Sequence, residues 1–154
     1  MKNRRMFPLY VDLSKIPVLV AGGGSVAERR VKTLLPFVEH IKVVSPYVSP
    51  ALRCFAEDEK IIWKEKCYEE GDLEGAGIVL AATDQEDINY RIYSDCKNRG
   101  ITVNISNDKE KCDFYFPGII NYEGIVIGFN GGGVNHRKTR EVREQVQKFL
   151  KEEK

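Results

Sequence analysis

Apolar residues in the first two thirds of this chain gather in short runs separated by amphipathic stretches. Val18–Ala21, Ile41–Val44, Ile78–Ala82 and Ile101–Ile105 are nearly continuous apolar runs, and Ile61–Trp63 is a shorter one. Runs of this length without strict alternation fit strands covered on both faces. Between them the period changes to that of a helix. Over Ser25–Leu35 the residues Val26, Val31, Leu34 and Leu35 fall near one face, and Pro36 marks the end. Ser49 and Pro50 read as an N-cap with proline in the first turn of a helix running to about Ala56. From Gln85 to Lys97, Ile88, Ile92 and Cys96 repeat at helical spacing, and Arg99-Gly100 closes the segment. Ahead of these, Phe7–Leu13 reads as an extended lead-in lying beside the first strand. Strands alternating with helices predict an α/β fold: a parallel sheet with helices on both faces.

After Asn107 the rhythm breaks. Phe114–Phe116, Gly118–Tyr122 and Ile125–Phe129 are three short β-like runs with no helix between them, and Asn121–Gly124 suits a hairpin turn. Asn135–Leu150 is amphipathic, with Val142, Val146, Phe149 and Leu150 as its apolar stripe. A hairpin and one helix bury too little to stand alone. We therefore expect a first domain over residues 1–112 and a small α+β region over 113–154 that packs on it and on a second subunit.

Composition removes several function classes. The net charge of +1 gives no global pull toward nucleic acid or a membrane surface. The opening MKNRR-MFPLYVDL imitates a signal peptide, but Pro8, Asp12, Ser14 and Lys15 interrupt its apolar part. Cys54, Cys67, Cys96 and Cys112 are widely spaced and suit free thiols in a reducing cytoplasm, with no metal-ligand spacing.

Candidate chemistry begins at VLVAGGGSVA, residues 18–27. Gly22, Gly24 and Ala27 fit G-x-G-x-x-A, the strand–turn–helix fingerprint of a Rossmann-like dinucleotide site. Gly22 permits the tight turn, Gly24 lets a pyrophosphate approach, and small Ala27 lets the helix lie close to the sheet. The first N–H groups of that helix, at Ser25 and Val26, would face the phosphates. Where an acidic ribose ligand is usual, at the end of the second strand, the chain has Ser45 and Pro46. Arg29 and Arg30 read as solvated helix charges rather than readers of a 2′-phosphate. Thr83 and Asp84 follow the IVLAA strand as ribose contacts, as a helix N-cap, or as both. Asn104, Asn107 and Asp108 close the next strand near the nicotinamide end, where Asn107 and Asp108 also suit a plain turn.

In this order and spacing, FPLYVDL, VLVAGGGSVAERRVKTLL, VVSP, VLAATD, VNISND and CDFYFPGII resemble the precorrin-2 dehydrogenase (siroheme synthase) family from about Phe7 to Leu150. The resemblance implies NAD rather than NADP as cofactor, oxidation of precorrin-2 to sirohydrochlorin, and a dimerisation region making a homodimer from about Asp113. Some members also chelate iron. The family's general-base aspartate aligns with Asn107, an amide that cannot take up a proton at neutral pH, which leaves Asp108 as the neighbouring substitute. The family loop S-T-G-G-x-S-P is here Asn130–His136, with its glycine pair kept and its hydroxyls and proline lost. Relatives continue past the position of Lys154 into a helical domain that helps enclose the tetrapyrrole. For a substrate rich in carboxylates, His136, Arg137, Lys138 and Arg140 are the candidate contacts, joined by Arg143 and by Lys109 and Lys111. An exposed basic face balanced by Glu141 and Glu144 is the alternative. Two further readings stay open: a non-catalytic NAD- or tetrapyrrole-binding module, and a ferrochelatase without dehydrogenase activity.

Overall fold

Five strands, β1 (Val18–Ala21), β2 (Ile41–Val44), β3 (Ile62–Lys64), β4 (Ile78–Ala81) and β5 (Thr102–Ile105), pair in parallel in the order β3-β2-β1-β4-β5. Three helices make the crossovers: α1 (Ser25–Leu34), α2 (Pro50–Glu57) and α3 (Glu86–Arg99). This computed structural model describes residues 6–132 and 135–152. Every residue of β1 is buried, as are Val79, Leu80 and Ala81 of β4, which is why those runs carry no polar alternation. On one face Leu19, Ala21, Val79, Ala81, Val103 and Ile105 pack with Ile92 and Cys96 of α3.

Register is what assembles a site. Ala21 pairs with Val44 and with Ala81, and Ala81 pairs with Ile105. The carboxyl ends of four strands therefore finish level, and their loops emerge along one edge. The order reverses between β1 and β4, where α/β sheets open a crevice for ligands.

Residues 11–114 form one compact unit, and residues 6–10 together with 115–152 form another. The second unit holds the antiparallel hairpin of β6 (Gly118–Tyr122) and β7 (Ile125–Phe129), followed by α4 (His136–Glu152). Glu123 and Gly124 turn the hairpin with φ of 50° and 84°, the double left-handed bend of a two-residue loop. Along α4 no residue is buried.

Several details depart from expectation. The lead-in segment does not run as one piece beside β1. Its first residues belong to the hairpin unit, where the Tyr10 hydroxyl donates to the Val126 carbonyl at 3.1 Å. Phe114–Phe116 is not a strand, and β6 begins only after Pro117, which has no N–H to give a ladder. Two 3-10 turns, Glu70–Leu73 and Lys109–Lys111, are too short to leave an apolar periodicity in the sequence. Helix α3 runs two residues further than its apolar spacing indicated, to Arg99.

Candidate functional site

The three glycines leave β1 at the crevice. At Gly22 φ is +116°, and an added Cβ would lie 2.3 Å from the Ala82 carbonyl oxygen, so the β1 and β4 loops can meet only through glycine. Gly23, outside the G-x-G-x-x-A positions, is as tightly placed: a Cβ there would lie 1.9 Å from the Tyr47 carbonyl oxygen. Its own carbonyl accepts from the Ser49 N–H at 2.9 Å, tying the β1 and β2 loops together. Gly24 is different. It is the N-cap of α1 in an extended conformation, no side chain caps the helix, and an added Cβ would meet nothing within 4 Å. Open space lies before a helix start whose first N–H groups, including those of Ser25 and Val26, have no capping side chain. That arrangement fits a pyrophosphate, with the N–H groups donating and the dipole favouring negative charge. Ala27 is fully buried, as close packing of α1 requires.

At the end of β2, Ser45 is buried and its hydroxyl donates to the Tyr47 carbonyl at 2.6 Å, while its own carbonyl accepts from the Trp63 indole at 2.9 Å. Pro46 follows in an exposed turn. Ser45 thus shapes the loop from within, and the Arg53 guanidinium lies over the Trp63 ring at 5.0 Å from its centroid. No acidic residue follows β2 in the sequence before α2, although the Glu28 carboxylate of α1 bonds to Ser49 of this loop.

The β4 loop is held by α3. Asn89 is only 1% exposed and bonds to both the main chain and the side chain of Thr83. The expected capping by Thr83 or Asp84 is corrected: the N-cap is Gln85, and the Thr83 hydroxyl accepts from the Gln85 N–H at 3.3 Å, closing a small turn one step earlier. Asp84 is exposed on that loop.

On β5 the Asn104 amide is spent within the protein. Its Nδ2 donates to the Phe114 carbonyl at 2.7 Å, and its Oδ1 accepts from Arg30 at 2.5 Å. The reading of Arg30 as a solvated charge is therefore overturned: it lies over the sheet edge, partly buried. Burial pushes its pKa down to about 10, still fully charged at neutral pH. A buried carbonyl on the facing strand was the reason, and helix periodicity cannot reveal it.

Asn107 and Asp108 separate. The Asn107 Oδ1 accepts from the Asn89 amide at 3.1 Å. Asp108 instead caps the following 3-10 turn, its Oδ1 accepting from the Glu110 N–H at 2.9 Å. Its other oxygen lies 3.5 Å from the Tyr90 hydroxyl and 3.8 Å from the Lys111 ammonium. A carboxylate so engaged is a capping group. The Cys112 thiol has the Ile105 and Asp108 carbonyls within reach of its one proton, at 3.2 and 3.4 Å, and burial raises its pKa.

In the second unit, His136, Arg137, Lys138 and Arg140 all lie in the exposed first turns of α4. Arg137 pairs with Glu141 at 2.9 Å and Arg140 with Glu144 at 2.7 Å, so part of their charge is offset on the helix itself. The Asn135 side chain caps the helix by accepting from the Lys138 N–H at 3.0 Å. Two residues of the altered glycine loop, Gly133 and Val134, lie outside the described residues.

A family model described as putative NAD(P)-binding matches residues 9–118. The chain belongs to this family. Its fold resembles that of SirC, precorrin-2 dehydrogenase, with a TM-score of 0.81 and 26% identity over 92% of this chain and 69% of that one. Among curated proteins, the probable multifunctional siroheme biosynthesis protein HemA of Ruminiclostridium josui is 41% identical over 93% of this chain. The siroheme synthase of Mannheimia succiniciproducens is 32% identical over 94% of it. The chain spans only 28% and 30% of the lengths of these two relatives. Among the described residues, no helix is long and apolar enough to cross a membrane.

Proposed function

We propose that this NAD(P)-binding chain is an NAD-dependent precorrin-2 dehydrogenase, converting precorrin-2 to sirohydrochlorin in siroheme formation. The observation that carries the reading is the open, uncapped start of α1 at Gly24, set at the crevice of a sheet that superposes on SirC. Bound NAD+ would supply hydride acceptance, and the two-hydrogen loss is completed by release of one proton. Gly24, Ser25 and Val26 would hold the pyrophosphate through main-chain N–H groups. Ser45, Pro46, Thr83 and Asp84 would wall the ribose positions, with Asn104 supporting the edge from beneath. No acidic ribose ligand follows β2 in the sequence, so the choice of NAD rests on the resemblance to the siroheme family.

Asn107 has no basic lone pair to take the substrate proton, and Asp108 is engaged in capping. The proton then leaves to water. The protein's contribution is to bind and orient the reactants, a large term by itself, since general-base help adds about 10²–10⁴-fold on top. His136, Arg137, Lys138 and Arg140 are proposed to read the tetrapyrrole carboxylates, with Arg able to do so bidentately. We propose that two chains associate through the hairpin unit, where Phe7, Leu9, Tyr10, Ile125 and Phe149 are exposed. Four free thiols are consistent with a cytoplasmic setting.

The test is anaerobic turnover of purified protein with NAD+ and precorrin-2. NADH and sirohydrochlorin should appear in equal amounts. If both ligands bind and neither product forms, the chain is a binding module instead.

A further inference from the structure

Asn89 is buried, polar and unused by the proposed chemistry, yet all of its amide's capacity is committed at the edge where the β4 and β5 loops meet. Its Oδ1 accepts from the Thr83 main-chain N–H at 3.1 Å and from the Thr83 hydroxyl at 2.8 Å. Its Nδ2 donates to the Thr83 carbonyl and to the Asn107 Oδ1, both at 3.1 Å. The orientation of this amide is not arbitrary. A main-chain N–H can only donate and a main-chain carbonyl can only accept, so Thr83 dictates which end of Asn89 is oxygen and which is nitrogen. The nitrogen end in turn dictates that Asn107 turns its oxygen inward. The Asn107 Nδ2 is left on the outer side of an exposed residue at the carboxyl end of β5, with no protein acceptor among the described residues.

We propose that Asn89 and Asn107 form a donor relay. Asn89 is the positioning residue, and Asn107 presents an oriented N–H₂ to a carboxylate or carboxamide oxygen of the bound ligand. This rests on the dinucleotide and tetrapyrrole reading above and deepens it by giving position 107 the part of a hydrogen-bond donor. The shared chemistry is an sp² oxygen acceptor, offered either by the nicotinamide carboxamide or by a substrate carboxylate. A backbone cap would not need an amide at Asn107, whereas a donor to an anion or carbonyl does.

The discriminating variant is Asn107→Asp, which keeps the inward oxygen for Asn89 and replaces the outward donor by an acceptor of the same shape. Full-chain protein is titrated separately with NAD+ and with sirohydrochlorin, across neutral to acid pH, with thermal melting as a check on folding. Expected is about tenfold or greater loss of affinity at neutral pH for one of the two ligands, recovering as the new carboxyl protonates and regains a donor. Loss for NAD+ identifies the carboxamide as acceptor, and loss for sirohydrochlorin identifies a carboxylate. Wild-type affinity for that ligand should lack this recovery.

Adding Asn89→Asp to Asn107→Asp should move the recovery to higher pH, because the carboxyl at 107 loses a donor and gains a like charge. If a buried aspartate prevents folding, Asn89→Ala in the same background removes the amide donor without adding a charge and should shift the recovery in the same direction. Unchanged affinity of Asn107→Asp for both ligands at every pH overturns the donor. An unshifted recovery on changing Asn89 overturns the relay. Absence of turnover by wild-type protein that still binds both ligands overturns the dehydrogenase reading alone.

Discussion

Gly22 and Gly24 stand two residues apart and are glycine for different reasons. Gly22 must be glycine for the fold, since its positive φ and its contact with the Ala82 carbonyl leave no place for a Cβ. Gly24 has an ordinary extended backbone at φ −84° and faces empty space, so its lack of a side chain serves what enters that space. Gly24→Val should therefore keep the folding stability within about 1 kcal/mol of wild type, the scale of a poorer N-cap, while NAD+ affinity falls about tenfold or more. Gly22→Ala should instead destabilise the chain by roughly 3 kcal/mol or more. Equilibrium unfolding beside NAD+ titration separates the two roles, and unchanged NAD+ binding by Gly24→Val would show that the phosphates lie elsewhere. At the far edge, Asp108→Ala should cost about 1 kcal/mol as a lost cap and leave kcat within a few-fold. A drop of about 10² or more in kcat would restore Asp108 as the base. Asn107→Asp should raise kcat by about tenfold or more while weakening ligand binding, a split that steady-state kinetics reads directly.

Each crossover element owes its position to side-chain ties as well as to its apolar face. The Ser49 hydroxyl accepts from the Leu52 N–H and starts α2, as its Ser-Pro sequence indicated. The tie between α1 and β5 is less obvious. Arg30→Ala would leave the Oδ1 of a buried asparagine without this donor, and we expect a loss of about 1–3 kcal/mol in denaturant unfolding. Helix α3 carries a pH signature. Cys96 is fully buried against the sheet, and burial pushes its thiol pKa up to about 12. Between the pKa of an unfolded thiol, about 8.5, and that value, the unfolded chain releases a proton that the folded chain retains. Stability should hold below this window and fall as pH rises through it. Cys96→Ala, although less stable throughout, should show a shallower alkaline fall in the unfolding midpoint.

Across the whole molecule, the two compact units carry different chemistry. The Rossmann-like unit over residues 11–114 holds every proposed cofactor contact, while the hairpin unit holds the basic start of α4 and most of the large exposed apolar residues. Phe149 is 59% exposed on an amphipathic helix with no buried residue. If the hairpin unit makes the dimer, Phe149→Glu should shift sedimentation toward monomer without lowering the NAD+ affinity of the other unit. An unshifted distribution would place the interface elsewhere.

Sequence by itself determined the parallel sheet, its crossovers and the glycine turn that leads into α1, because continuous apolar runs, helical periodicity and G-x-G-x-x-A are all local in the chain. It also shows an amide at position 107, where the family resemblance implies a general-base aspartate. Only the tertiary structure decided which polar groups are free. Arg30 and Asn104 lie 74 residues apart, and Asn89 and Asn107 lie 18 apart. Hydrogen bonds between distant loops depend on strand register, and no local pattern encodes them. The same register turned Asp108 into a cap and gave Asn107 an orientation, because a buried amide must satisfy all of its donors and acceptors at once.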